Sequence, residues 1–169
     1  MSQRWIVSFL VFSLTPAGVP AQDKAEITLQ VMKYDGLKDL VLKNRGKVVL
    51  VDLWGDFCPP CKAAFPHVVE LHQKHAKEGL VVISVALDPV DDDVKGRLLK
   101  FLRAKGATFA NVLLDEPGEY WQGKFNIVGP PSYFVFDRQG RWTQFKAMED
   151  APVDYARMDQ LIVELLKEK

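Results

Sequence analysis

Apolar residues along this chain recur with a period near two in some stretches and near 3.6 in others, and the two patterns alternate. Ile27, Leu29 and Val31 alternate with Thr28 and Gln30, which predicts a half-buried strand. From about Asp35 to Asn44 the residues Leu37, Leu40 and Val41 share one helical face, and Gly46 stands just past the end. Lys47 to Leu53, KVVLVDL, is an apolar, β-branched run too short for a buried helix and predicts an interior strand. From Pro59 to about Lys77 the spacing of Phe65, Val68, Val69 and Ala76 is helical, with Pro66 expected to kink the helix. Leu80 to Leu87, LVVISVAL, predicts a second interior strand. A helix carrying Val94, Leu98, Phe101 and Leu102 follows, and then a short strand over 111–114. Pro117 can open a helix that presents Tyr120, Trp121 and Phe125. SYFVFDRQGRWTQF reads as two strands joined by a tight turn near Gly140, and Met158, Leu161, Ile162, Leu165 and Leu166 form the apolar stripe of a final helix.

Strands alternating with helices in this way predict an α/β fold, a sheet covered by helices on both faces. No repeat, low-complexity tract or Pro/Gly/Ser linker interrupts the pattern, so 22–169 is expected to form one domain. The chain has 169 residues, of which 48% are hydrophobic and 26% charged, enough for a sizeable core without disulfide staples. Its 22 basic and 22 acidic residues balance, which gives no electrostatic case for nucleic acid or an anionic membrane as partner. The first 21 residues follow another order: Arg4, an apolar run from Trp5 to Leu14, then small residues up to Val19-Pro20-Ala21. That is the order of a secretory signal peptide, and it places the domain outside the cytoplasm, periplasmic or secreted. The alternative is an uncleaved N-terminal anchor. After cleavage no membrane insertion is expected, because the final amphipathic helix is bounded by Glu164, Lys167 and Glu168.

The chain has two cysteines, Cys58 and Cys61, separated by Pro59 and Pro60. As a structural disulfide, a bridge closing about four residues would stabilise by only about 2 kcal/mol, against about 4.7 for a 100-residue loop. A closed zinc site needs about four ligands, and the further candidates are His67, His72 and His75 on the helix that follows. His72 shares a face with Val68 and Val69 and is expected at the edge of the core; His67 and His75 are expected in solvent. No metal is assigned. The redox reading fits the placement best. Cys58 precedes a helix N-terminus, where unpaired N–H groups and the macrodipole stabilise a thiolate, and Cys61 lies one turn further in, shielded, as a resolving thiol should be.

VDLWGDFCPPCKAAFP resembles the active-site strand, loop and helix of the thioredoxin family, including a proline eight positions after the first cysteine, Pro66. IVGPPSYFVFD, Ile127 to Asp137, is similar to the family segment that carries a cis-proline beside the disulfide, with Pro131 at that position. One αβ unit more than in minimal thioredoxin separates the two motifs. With the N-terminal segment, this resembles the extracytoplasmic TlpA/ResA-like branch. The resemblance implies a thioredoxin fold with a central mixed β-sheet and an extra αβ insertion before the cis-proline strand. It also implies a thiol-disulfide oxidoreductase acting on disulfides or dithiols of proteins, a membrane-bound electron donor as a further partner, and no cofactor beyond the redox-active Cys58–Cys61 pair.

The same resemblance makes Asp52 the buried carboxylate that moves a proton to or from Cys61, and desolvation on an interior strand should raise its pKa. The alternative is an Asp satisfied by neighbouring donors. Many relatives carry a Glu three residues after the second cysteine; here that position is Ala64, which leaves Asp52 as the acid–base candidate, with Lys62 as a modest electrostatic contribution. Pro59 and Pro60 have no N–H, so the Cys58 thiolate should be less stabilised than in oxidising relatives and the couple more reducing. Pro130 can offer a substrate strand only its C=O. Trp54 and Phe57 are expected to frame the substrate site with Pro130, and Trp121 either frames it or belongs to the core. Asp91-Asp92-Asp93 is expected to cap the next helix; calcium binding is the alternative. Two other classes remain open. A thiol peroxidase would need Thr-x-x-Cys where position 55 is Gly, and a noncatalytic binding module would keep the motif as a local clip.

Overall fold

The computed structural model describes residues 26–148 and 151–168. In chain order the elements are β1 (Gln30–Met32), α1 (Tyr34–Leu42), β2 (Val48–Trp54), α2 (Pro59–His75), β3 (Leu80–Ala86), α3 (Asp92–Lys105), β4 (Ala110–Leu114), α4 (Gly118–Phe125), β5 (Ser132–Phe136), β6 (Trp142–Lys146) and α5 (Tyr155–Lys167). The strands form one six-stranded sheet in the order β1-β4-β3-β2-β5-β6. β1, β4, β3 and β2 run parallel, and β5 and β6 are antiparallel to their neighbours. This is the mixed sheet of the thioredoxin fold, with α2, β3, α3, β4 and α4 between the cysteine strand and the cis-proline strand.

β2 is buried along its whole length, as a central strand covered on both faces must be. Val49, Val51 and Leu53 point to one face and meet Leu37 of α1 and Trp121 and Phe125 of α4. Val48 and Leu50 point to the other and meet Val68 of α2 and Met158 and Ile162 of α5. Further along that second face, Trp54 joins Cys58, Cys61, Phe65 and Val69, with Leu98 and Leu102 of α3 closing the cluster. Trp121 is therefore a core residue on the face away from the cysteines.

The first strand is shorter and later than its alternation predicts. β1 pairs with β4 only from Gln30 opposite Val112, while Thr28 offers its carbonyl to the Asn111 side chain at 3.4 Å instead of to a ladder. Ile27 and Leu29 still pack against the cysteine cluster, but Val31 is exposed because an edge strand has one covered side only. Asp91 caps α3 as expected, accepting from Val94 N–H at 2.8 Å. Pro66 lies within α2, on its exposed side. The expected signal peptide over 1–21 lies outside the described residues. Among those described, no helix is long and apolar enough to cross a membrane.

Candidate active site at the paired cysteines

β2 ends at Trp54 and the chain reaches the first turn of α2 in four residues. Cys58 is the N-cap of that helix, in an extended conformation, and Pro59 and Pro60 fill the first two helical positions. Proline suits them because its fixed φ is helical and its missing N–H would have no intrahelical partner. The first amide of the helix able to donate is therefore that of Cys61, and it reaches Cys58 Sγ at 3.3 Å. The two sulfurs are joined as a disulfide, with the Cα atoms 5.3 Å apart.

The Pro130–Pro131 peptide is cis, and the Pro130 carbonyl oxygen lies 3.6 Å from Cys58 Sγ. Residues 72 positions apart thus share one site. In the disulfide state Cys58 is 5% exposed and Cys61 2%, so the expected contrast between an open thiol and a shielded one is small. Burial of both follows from the cap position, which turns the sulfurs toward Phe65, Val69 and Ala86.

The residues expected to frame a substrate divide. Phe57 is 57% exposed, and its ring folds over Gly55 so closely that a Cβ there would lie 2.5 Å from the ring. Trp54 corrects the expectation: it is 1% exposed and stacks within the core on Phe65 and Phe101 at ring distances of 5.0 and 5.1 Å. As the last residue of a central strand it faces inward, under the disulfide, and offers no surface to a partner. Pro130 and Pro131 are half-buried. Val128, two residues before Pro130, is 94% exposed and was not singled out from the sequence, where a lone valine in a loop has no periodicity to betray it.

Asp52 lies on β2 between Leu50 and Trp54, on the strand face that α2 covers, and is 2% exposed. Its Oδ1 has no hydrogen-bond partner among the described residues. Desolvation pushes its carboxyl up to about 8.

Lys62, expected to make a modest electrostatic contribution, belongs to a charged cluster with Asp56, Asp88 and Arg97, none of which a sequence motif marks. The Asp56 N–H donates to both oxygens of the Asp88 carboxylate, at 3.1 and 3.0 Å. The Asp56 carboxylate takes Lys62 Nζ on one oxygen at 3.0 Å and Arg97 Nε on the other at 3.1 Å. Hydrogen bonding to Lys62 is the leading cause that holds Asp56 below the usual carboxylate range. Burial holds Asp88 above it, against the opposing pull of the Asp56 N–H. Position at the C-terminal ends of parallel strands, where α/β sheets gather their chemistry, was the available clue to Asp88.

The three histidines do not converge with the cysteines. His67 is half-buried and pairs with Asp159 of α5 at 2.9 Å, and His75 is buried against Glu78 at 2.8 Å, so neither is the solvated residue expected. His72 is half-buried edge-on to Phe109, and desolvation lowers its pKa. Among the described residues no three metal-ligating side chains cluster. A cavity of about 380 Å³ lies on the other face of the sheet between α1 and β5–β6, lined by residues such as Val41, Phe134 and Trp142, and includes none of the site residues.

Comparison with known proteins agrees with this geometry. The AhpC/TSA family model matches residues 21–144. The thiol-disulfide oxidoreductase ResA of Bacillus thuringiensis subsp. konkukian is 30% identical over 138 residues, 79% of this chain and 76% of that protein. The solved structure of a thiol:disulfide interchange protein DsbE from Chlorobium tepidum is 27% identical, with a TM-score of 0.58 over 75% of this chain and 84% of that one. A thiol-disulfide isomerase from Corynebacterium glutamicum, 26% identical, gives a TM-score of 0.60 over 88% of this chain and 100% of that one. The chain belongs to the thioredoxin-like AhpC/TSA family and is a thiol-disulfide oxidoreductase of the ResA/DsbE type.

Proposed function

We propose that this ResA-type oxidoreductase works outside the cytoplasm, after removal of residues 1–21, as a reductase or exchange enzyme for disulfides in proteins. The observation that carries the reading is the Cys58 sulfur at the N-cap of α2, receiving an N–H from Cys61 and lying against the Pro130 carbonyl. In the dithiol form the Cys58 thiolate attacks one sulfur of a substrate disulfide, and the other substrate sulfur leaves as a thiolate and takes up a proton. Cys61, deprotonated with Asp52 as acceptor, then attacks Cys58 Sγ and expels the second substrate sulfur. Two electrons pass to the substrate and the Cys58–Cys61 disulfide forms; a dithiol protein, which the family resemblance suggests is membrane-bound, then reduces that disulfide back to the dithiol and is itself oxidised to a disulfide.

Direction follows from donor supply. A thiolate at a helix N-terminus draws on the first free N–H groups, and here two of them are replaced by proline ring nitrogens. The reduced form is correspondingly less favoured and the couple more reducing. Phe57 and Val128, exposed on the segments that carry Cys58 and Pro130, are the apolar lips that a substrate strand would touch, with the Pro130 C=O as acceptor.

Insulin reduction tests the proposal. The wild type should turn over, and Cys58→Ser and Cys61→Ser should not, while Cys61→Ser should accumulate mixed disulfides with its substrates. No turnover by wild type would favour a binding module, and consumption of hydroperoxide a peroxidase. Equilibration with glutathione should place the couple well below the oxidising value of about −120 mV typical of DsbA; a value near it would overturn the reductase direction.

A further inference from the structure

We propose that Asp56 is a positioning residue for the dithiol: its carboxylate ties down the charges of Lys62 and Arg97, while its N–H fixes the loop before Cys58 onto Asp88. The inference rests on the reading of Cys58 as the attacking thiol.

The geometry gives Asp56 two separate attachments. Through its main chain it is held by both oxygens of a carboxylate that is 6% exposed, at the end of β3. The residue so held stands two positions before Cys58, so the shape of the loop is fixed from the adjacent strand. Through its side chain Asp56 spans two helices. Lys62 comes from the second turn of α2, where its own N–H donates to the Cys58 carbonyl at 3.1 Å. Arg97 comes from α3. Each cation takes a different oxygen, so both oxygens of the carboxylate are engaged.

The consequence is electrostatic. A free ammonium one residue beyond Cys61 would stabilise the thiolate of Cys58 and draw the couple toward the oxidising range. Paired to Asp56, Lys62 contributes much less of that field, because the opposite charge sits 3.0 Å from it on the same side of the helix. The charged groups facing the loop are Asp56 itself, Asp88 after β3, Lys62 on α2 and Arg97 on α3, with Asp52 beneath in the core. With both Asp56 and Asp88 ionised, two carboxylates face two cations and the net charge beside the sulfur is zero. The pairing therefore acts in the same direction as the two prolines, which withhold N–H donors from the same atom.

The test is the pH profile of Cys58 alkylation by iodoacetamide in the reduced full chain, with the alkylated residue identified by mass spectrometry. Asp56→Asn keeps the N–H that Asp88 holds, removes the charge and leaves one side-chain oxygen to accept. It should move the midpoint down by about 0.5 to 1 pH unit, and shift the glutathione equilibrium toward the dithiol by about threefold to tenfold. Adding Lys62→Met to Asp56→Asn should restore most of the wild-type profile, which a loop merely displaced by the first substitution would not do. An unmoved midpoint in Asp56→Asn, or a shift that Lys62→Met leaves in place, overturns the inference while the proposed function stands. Alkylation of Cys61 ahead of Cys58 in the wild type would overturn both.

Discussion

Asp52 of β2 stands directly opposite Tyr133 of β5 in the antiparallel register, and both are almost without solvent contact. The Tyr133 hydroxyl lies 3.4 Å from that of Tyr155 on α5. Burial, with the nearby Asp52 charge, drives the Tyr133 phenol well above its ordinary range. An acid and a phenol are thus held in one dry layer under the cysteine helix, where burial favours the neutral form of each.

Stability should depend on pH through Asp52. The unfolded chain releases this proton near 3.8, whereas the folded protein keeps it to about 8. Between those values the folded state binds more protons, so unfolding becomes easier as pH rises; below them the penalty is absent and above them it is complete. Asp52→Asn should therefore match the wild type near pH 4 and exceed it by about 1 to 4 kcal/mol at pH 8. Guanidinium unfolding at stepped pH measures the gap. A constant gap would mean that the carboxyl titrates normally.

The same substitution should slow the chemistry while it stabilises the fold. Without a proton acceptor, Cys61 resolves the mixed disulfide more slowly, and insulin turnover should fall by about tenfold to a hundredfold. Quenched-flow trapping should find Cys58 still attacking at its normal rate and the mixed disulfide accumulating. Unchanged resolution would remove Asp52 from the mechanism.

Phe57 and Val128 should govern substrate affinity and leave the disulfide itself alone. Phe57→Ser or Val128→Ser should raise KM for a peptide disulfide by about threefold to tenfold, with the glutathione equilibrium unchanged. Gly55→Ala should act like Phe57→Ser, since a Cβ 2.5 Å from the Phe57 ring must displace it. The ring is the movable end of an exposed side chain, so Tm should stay close to wild type.

Asn111 should prove a structural anchor. From β4, its amide donates to the Ala107 and Phe109 carbonyls of the preceding turn at 2.9 Å each, and its oxygen accepts from Ser84 of the neighbouring strand β3 at 2.8 Å. Asn111→Ala strands those groups and should cost about 2 to 4 kcal/mol in urea unfolding. Insulin turnover per folded molecule should be unchanged.

What the sequence determined by itself was the features written in neighbouring residues, the edge strand β1 excepted. KVVLVDL is a central strand because its length and branching leave no other buried form. Cys58 caps a helix because Pro59 and Pro60 suit its first two positions, and Asp91 caps the next because an acid three residues before Val94 meets that free N–H. The meeting of Cys58 with Pro130 was legible through a motif resemblance, although 72 residues separate them. Solvent access and unlike partners were decided by the tertiary structure. Trp54 faces inward, His67 finds Asp159 at a separation of 92 residues, and Asp56 is gripped by Asp88 at a separation of 32. Backbone preference and periodicity act over a few residues and survive in the sequence. Desolvation and charge pairing depend on what the packed sheet and helices bring within about 3 Å, and a linear pattern does not carry that distance.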